Sequence, residues 1–254
     1  MGKKDINVTP SGALAGVLHK LLVLLTSALC FSAAVFFYLK TYDSATIKIT
    51  IVQVGGSLLI GLFLLKKLEE GLRFSMEELA FLIPVAAYFF WGWFSYIESP
   101  FKMWAAFDEF WRRCIYTGLV FIGFFEFRKL KDVKFLSFIL MLTCFVVCFY
   151  AVMQRLGYDP YAWKGAFGSR HFSTFGNPNF FGAWLVGAAA LPLGMFFKNR
   201  NPLYAGLYAM AAYGVWVSVT KGSFIGFAAM TASTLTLTAL FAGFLNRKKV
   251  LRAL

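Results

Sequence analysis

The sequence predicts an all-α protein, a polytopic transmembrane helix bundle of about eight membrane-spanning helices. Two observations carry this. The 254 residues are 59% hydrophobic and only 15% charged, with 19% aromatic side chains and a mean hydropathy of +0.68. A water-soluble chain has about 45–50% apolar and about 25% charged residues, so this one has too little polar surface to cover itself and much of its apolar surface faces lipid. The apolar residues also fall into runs close to the ~20 residues that a helix needs to cross a bilayer.

The runs follow in order along the chain. Residues 21–39 form the first, after a polar start containing Lys3, Lys4 and Lys20. It is too long for the apolar part of a cleaved signal peptide, and no small-residue cleavage site precedes a soluble domain. Residues 45–65 form the second, with Lys48 near its start and Gly55-Gly56 at its middle. Residues 78–97, rich in aromatics toward their end, form the third. Residues 114–127 are the core of the fourth, extended backward. Residues 135–153, 180–197, 202–219 and 223–245 complete the eight. The whole chain, 1–254, reads as a single transmembrane domain.

Most of the 25 Lys and Arg, including Lys3, Lys4, Lys66, Lys67, Arg73 and Arg128, fall on the side shared with the N-terminus. Basic loops stay cytoplasmic, which places the N-terminus, and after eight crossings the C-terminus, in the cytoplasm. The formal net charge of +13 fits anionic lipid better than nucleic acid, because no basic cluster lies among exposed aromatics on a soluble domain. Cys30, Cys114, Cys144 and Cys148 form no CxxC pair. Cys144 and Cys148 share a helix face without a His or carboxylate, so the four thiols read as small buried hydrophobes and no metal or other cofactor is expected.

The outer segments carry the specific signals. In residues 99–113, Phe101, Trp104, Phe107 and Trp111 recur at helical spacing, which predicts an amphipathic helix lying in the outer interface. Residues 154–179 form the longest polar segment and carry Gly157, Gly165, Gly168, Gly176, Arg170 and His171. It ends in Gly-Asn-Pro-Asn, where Asn177 suits a helix N-cap and Pro178 the first helical turn. This predicts that the sixth helix starts capped at the outer face, with Arg170 upstream in a flexible loop and His171 solvated beside it. At the next outer turn Ser223 is expected to cap the eighth helix, with Lys221 beside it. Helix N-termini favour anions, and Arg and Lys add charge and directional donors. Phosphate binding is therefore one reading of the pair, and ordinary capping with interfacial cations is the other.

Residues 170–187, RHFSTFGNPNFFGAWLVG, resemble the Arg…Thr-Phe-Gly-Asn-Pro-Asn segment of the O-antigen ligase/polymerase superfamily. Residues 217–226, VSVTKGSFIG, are similar to that family's Thr-x-Ser-Arg-Gly helix start, with Thr220 in place of Ser and Lys221 in place of the commoner Arg. The resemblance implies a membrane-embedded glycosyltransferase of a bacterial inner membrane. Such proteins take a glycan from an undecaprenyl-pyrophosphate carrier on the periplasmic side, without a nucleotide sugar or a metal. It implies pyrophosphate contacts from Arg170 and Lys221, with Asn177 and Asn179 shaping the helix entry. Its relatives continue into further helices and a large outer loop with a catalytic His. The chain thus resembles the N-terminal portion of such a protein, and no catalytic residue is assigned in it. On this reading it is not expected to act without a C-terminal half or partner membrane chain. A transporter or flippase for a lipid-linked or anionic substrate, and a non-catalytic membrane subunit, are the competing expectations. Against the transporter stand the absence of an internal repeat and helix interiors nearly free of charge.

Overall fold

A computed structural model of the chain describes residues 11–40, 44–71, 75–163 and 167–251. Lys3, Lys4, Arg73, Gly165 and the extreme C-terminus lie outside these, as does the side chain of Trp104. Among the described residues the secondary structure is helix alone, with no strand. Nine α-helices follow one another: α1 Ser11–Val35, α2 Ser44–Glu70, α3 Met76–Glu98, α4 Phe107–Glu126, α5 Leu130–Arg155, α6 Pro178–Ala188, α7 Ala190–Asn199, α8 Pro202–Ser218 and α9 Lys221–Leu251. A π-helical turn, Lys102–Ala106, precedes α4, and a 3₁₀ turn, Ser173–Phe175, precedes α6.

Six segments are long and apolar enough to cross a membrane: Gly12–Val35, Ala45–Glu70, Ala80–Glu98, Leu130–Arg155, Pro178–Asn199 and Lys221–Leu240. They make the chain a multi-pass membrane protein. Of the eight predicted runs, the fourth and seventh fall short. The first turns of α4 carry Asp108, Glu109, Arg112 and Arg113, and α8 has 17 residues, or roughly 25 Å of axial rise.

The fold corrects three local expectations. Residues 99–113 do not form a separate interfacial helix. The π-helical turn runs straight into α4, whose first turns hold the charged residues, with Arg112 paired to Asp108 at 3.1 Å and Glu109 at 2.9 Å. The sixth run is not one helix but two, α6 and α7, broken at Ala189. Pro192 explains the break, because its ring has no N–H to donate and crowds the carbonyl four residues back, at Ala188. Helix α3 starts two residues earlier than the apolar pattern indicates. Ser75 and Glu78 form a reciprocal capping box, the Ser75 hydroxyl accepting from the Glu78 N–H and the Glu78 carboxylate accepting from the Ser75 N–H.

The chain divides into two compact units. The first comprises Met1–Leu29 and Ile49–Leu136. Its core is Leu22, Leu29, Leu59, Phe63 and Ile122, drawn from α1, α2 and α4. Two glycines let α2 and α4 approach. The Ile115 side chain lies where a side chain on Gly56 would be, and Ile60 does the same at Gly118.

The second unit comprises Cys30–Lys48 and Ser137–Leu254. Its core includes Cys144, Val147, Cys148, Phe181, Leu185, Ala211 and Val215, so α6 lies among α5, α8 and α9. Cys144 and Cys148 are fully buried in it, as small hydrophobes are. Glycine again permits the approach: Leu185 fills the space beside Gly214, and Ser218 and Ser223 fill the space beside Gly182. Helix α8 is tied tightly at both ends. Asn201 caps it, its side chain accepting from Leu203 N at 2.9 Å with Pro202 in the first turn. At the other end Val219 reverses the chain in the left-handed region, φ 48°.

A side chain added at Gly214 meets Leu185, Phe181 and Cys148 in an already filled core. Gly214→Val is expected to cost at least the about 1–3 kcal/mol typical of overpacking. A lowered thermal unfolding midpoint of the detergent-purified protein checks this, with Gly187→Ala, at a position open to space, as the control.

Candidate functional site

The four sequence-predicted residues, Arg170, Asn177, Asn179 and Lys221, lie at one junction in the second unit. There the 156–177 loop meets the start of α6 and the turn between α8 and α9. Arg170 holds the junction. Its Nε donates to the Ser218 carbonyl at 3.0 Å, and its Nη2 donates to Asn179 Oδ1 at 2.7 Å and to Thr220 Oγ1 at 3.0 Å. Arg170 is therefore clamped, not in a flexible loop. Three of its five donors are engaged, and the two on Nη1 meet no described residue.

Asn177 is the N-cap of α6, as the Gly-Asn-Pro-Asn pattern predicts. Its side chain accepts from Asn179 N at 2.9 Å, and Pro178 occupies the first turn. Gly176 enters the cap in the left-handed region, φ 64°, which glycine adopts without strain. Asn179 has two tasks: its backbone N–H completes the cap, and its side-chain oxygen accepts from Arg170. Lys221 is the first residue of α9, exposed and without a hydrogen bond to the described residues.

Ser223 does not cap α9. It is buried against Gly182, because the helix starts two residues earlier. The cap position falls to Thr220, whose carbonyl accepts the first helical bond, from Phe224 N at 3.1 Å. The Thr220 hydroxyl reaches across to the Pro178 carbonyl at 3.2 Å, joining the two helix starts.

The rest of the motif is bonded into the bundle. Ser173, in the left-handed region at φ 51°, donates through Oγ to the Val147 carbonyl at 2.6 Å and through N to Gln154 Oε1 at 2.8 Å. Thr174 donates to the Ala34 carbonyl at 2.7 Å. Lys48 joins it there, donating to the carbonyls of Ala33 at 3.0 Å, Ala34 at 2.8 Å and Phe36 at 3.0 Å, and lying 4.7 Å from the Phe175 ring. Its ammonium satisfies carbonyls that the end of α1 leaves open. The sequence places Lys48 near the start of the second helix but not its partners, which lie where no periodicity points.

A second polar cluster, in the first unit, was not predicted. Glu126 at the end of α4 is 1% exposed and Lys66 of α2 is 7% exposed. The Lys66 ammonium donates to both Glu126 oxygens, at 2.8 and 3.0 Å, and pairs with Glu70 at 3.0 Å. His19 of α1 places Nδ1 2.7 Å from Glu126 and Nε2 3.1 Å from Asp132 in the first turn of α5. A cleft of about 520 Å³ opens beside the cluster, lined by Gly16, His19, Lys66, Glu70, Glu126 and Arg128 among others. The cluster lies at helix ends, so it leaves the helix interiors nearly free of charge. Each member sits singly near the end of an apolar run, so only the tertiary fold brings them together.

Comparison with protein-family models, with curated proteins and with solved structures finds no match to this chain.

The buried cluster sets an energetic expectation. Lys66→Met leaves a fully buried carboxylate with His19 as its remaining partner. Breaking a buried pair from one side costs about 3–5 kcal/mol. Adding Glu126→Gln removes the stranded charge, so the double variant is expected to recover part of the loss. Thermal unfolding of the two variants in the same detergent distinguishes this coupling from two independent losses.

Proposed function

We propose that this chain is an O-antigen ligase/polymerase-like glycosyltransferase, or a portion of one. In this reading it works on glycans carried by undecaprenyl pyrophosphate at the periplasmic face of a bacterial inner membrane. The observation that carries the reading is the Arg170 junction. The two segments that resemble the family are separated by a whole helix, yet bonds that span 50 and 42 positions, Arg170 to Thr220 and Thr220 to Pro178, join them into one site where α6 and α9 both begin. Two open Nη1 donors of Arg170, the exposed Lys221 ammonium and two helix starts supply the positive potential that a pyrophosphate needs. The leaving pyrophosphate gains negative charge as the glycosidic bond breaks, and cations fixed beside that oxygen lower the barrier. The acceptor hydroxyl must lose its proton to a base, and no residue of this chain is assigned that part.

The topology that suits this reading has eight crossings with both termini in the cytoplasm. Helix α8 packs on α6, α7 and α9 and is joined to α7 and α9 by tight turns. A short helix in that position crosses with its neighbours. With α4 crossing as well, the starts of α6 and α9 face the periplasm together.

One observation favours a second reading, a transporter for an anionic or lipid-linked substrate. Lys66 and His19 are ionisable groups inside segments apolar enough to span a membrane, and such groups commonly serve transport.

In a strain carrying the complete gene, Arg170→Ala and Lys221→Ala are each expected to lower polysaccharide transfer by at least 100-fold, the order of effect of losing a transition-state donor. Membrane insertion stays normal. Unchanged transfer in Arg170→Ala overturns the reading. Uptake into vesicles that needs no acceptor sugar, and that fails in Lys66→Met with the protein still folded, supports the transporter instead.

A further inference from the structure

A second pocket lies in the same unit as the Arg170 junction. It holds about 350 Å³ and is lined by Arg155, Ser169, His171, Tyr213, Trp216, Val217 and Val219. None of Arg170, Asn177, Asn179 and Lys221 lines it, so it stands apart from the site described above and does not depend on the function proposed for that site.

Four features make it a built site. His171 is fixed by its backbone, its N–H donating to the Val217 carbonyl at 2.9 Å. Its Nε2 is sealed from solvent without a hydrogen-bond partner, whereas Nδ1 is neither sealed nor bonded to a described residue, so Nδ1 is the ring atom that a ligand in the pocket can meet. Arg155, in the last turn of α5, brings a guanidinium that makes no hydrogen bond to the described residues, and no carboxylate lines the pocket. Val219 holds a left-handed backbone that β-branched residues rarely take, φ 48°. Such strain gathers at binding sites.

The lining defines the ligand. One permanent cation and one titratable ring, with no counter-charge, fit a dianion better than a single carboxylate. A phosphate monoester carries about −1.5 to −2 charges near neutral pH. Tyr213, Trp216 and the two valines form an apolar and aromatic wall suited to the body that bears the phosphate. The volume lies at the lower end of the ~300–1,000 Å³ of small-ligand sites. We propose that this pocket binds a phosphate monoester group, carried on a lipid or on a soluble sugar, between Arg155 and the His171 ring.

Burial, and after it the nearby Arg155 charge, hold the His171 ring below the ordinary histidine range. The ionisable groups facing it are Arg155 of α5 and Tyr213 of α8. A bound phosphate replaces repulsion by attraction, so binding takes up a proton and strengthens as pH falls.

The protein has two histidines, so ring-¹³C-labelled histidine gives two NMR signals, and His171→Gln assigns them by loss. The full chain in phosphatidylcholine nanodiscs is titrated with pH alone, with inorganic phosphate, with glycerol 3-phosphate, and with sodium chloride at matched ionic strength. A further arm places phosphatidic acid in the nanodisc. The expected result is a rise of the His171 midpoint by about one pH unit, a tenfold preference for the protonated ring, absent with chloride and absent in Arg155→Gln. A shift with the soluble phosphates identifies a soluble ligand, a shift with phosphatidic acid alone identifies a lipid headgroup, and either supports the site. No shift in any phosphate arm, an equal shift with chloride, or an undiminished shift in Arg155→Gln overturns it.

Discussion

An arginine side chain presents five N–H donors in a rigid planar fork, and each donor that packing takes out of water needs an acceptor. At Arg170 that requirement determines the local architecture. Its Nε takes the Ser218 carbonyl, exposed where α8 ends, and its Nη2 takes Asn179 and Thr220, one from each of two helix starts. For these acceptors to converge, α6 must begin beside the α8–α9 turn. Gly182 meets that requirement, since Ser218 and Ser223 occupy the space a side chain there would fill. Gly214 does the same on the other side of α6, where Leu185 packs. The positive φ of Val219 is part of the same arrangement, because the chain must turn sharply to bring Thr220 back to the Pro178 carbonyl.

Elsewhere many of the helical hydroxyls are satisfied locally. Ser27, Ser57, Thr117, Thr143, Thr231 and Thr238 each donate to the carbonyl four residues back, which hides a hydroxyl within its own helix. The end of α1 is the counter-example. Its carbonyls are met by Lys48 and Thr174, so the helix end, the start of the next helix and the motif loop are fastened together. The Tyr150–Asp159–Gln154 bonds, at 2.7 and 2.9 Å, extend this network into the loop before the motif. Among the described residues of this loop, Asp159, Trp163, Arg170, Ser173 and Thr174 are bonded through their side chains, and Gly157, Gly168 and Gly176 turn the chain in the left-handed region.

The elements legible in the sequence are those that local physics determines. Apolar runs place the long helices, and Asn177-Pro178 and Asn201-Pro202 mark two helix starts that the structure caps as that chemistry requires. Ser75-x-x-Glu78 was equally readable and marks the true start of α3. The break between α6 and α7 was also present, as Pro192 inside an apolar run. What could not be read is everything made by residues distant in the chain. Glu126 and Lys66 are 60 positions apart and His19 and Glu126 are 107 apart, and no period links them. At the candidate site the sequence supplied the four residues, and the fold supplied their division of labour. Thr220 was missed because a threonine before a lysine looks like any turn residue. His171 was placed in solvent because nothing in the neighbouring residues indicates that Val217 fixes its backbone.

That division of labour bears on how a motif resemblance should be used. In the Ser-Thr-Phe-Gly-Asn-Pro-Asn segment almost every group is already bonded within the protein: Ser173 to Val147 and Gln154, Thr174 to Ala34, Asn177 to the α6 start, Asn179 to Arg170. These residues build the corner, whatever the corner then binds, so the motif speaks first for architecture. Ligand contacts fall to the donors and acceptors that the architecture leaves open. Here those are Nη1 of Arg170 and the ammonium of Lys221 at one site, and the guanidinium of Arg155 and the His171 ring at the other, all in one unit. On the two proposals above, an anion is the ligand class that both sites have in common. Its identity is therefore to be sought at these unsatisfied groups, and changes to the bonded motif residues report on folding before they report on chemistry.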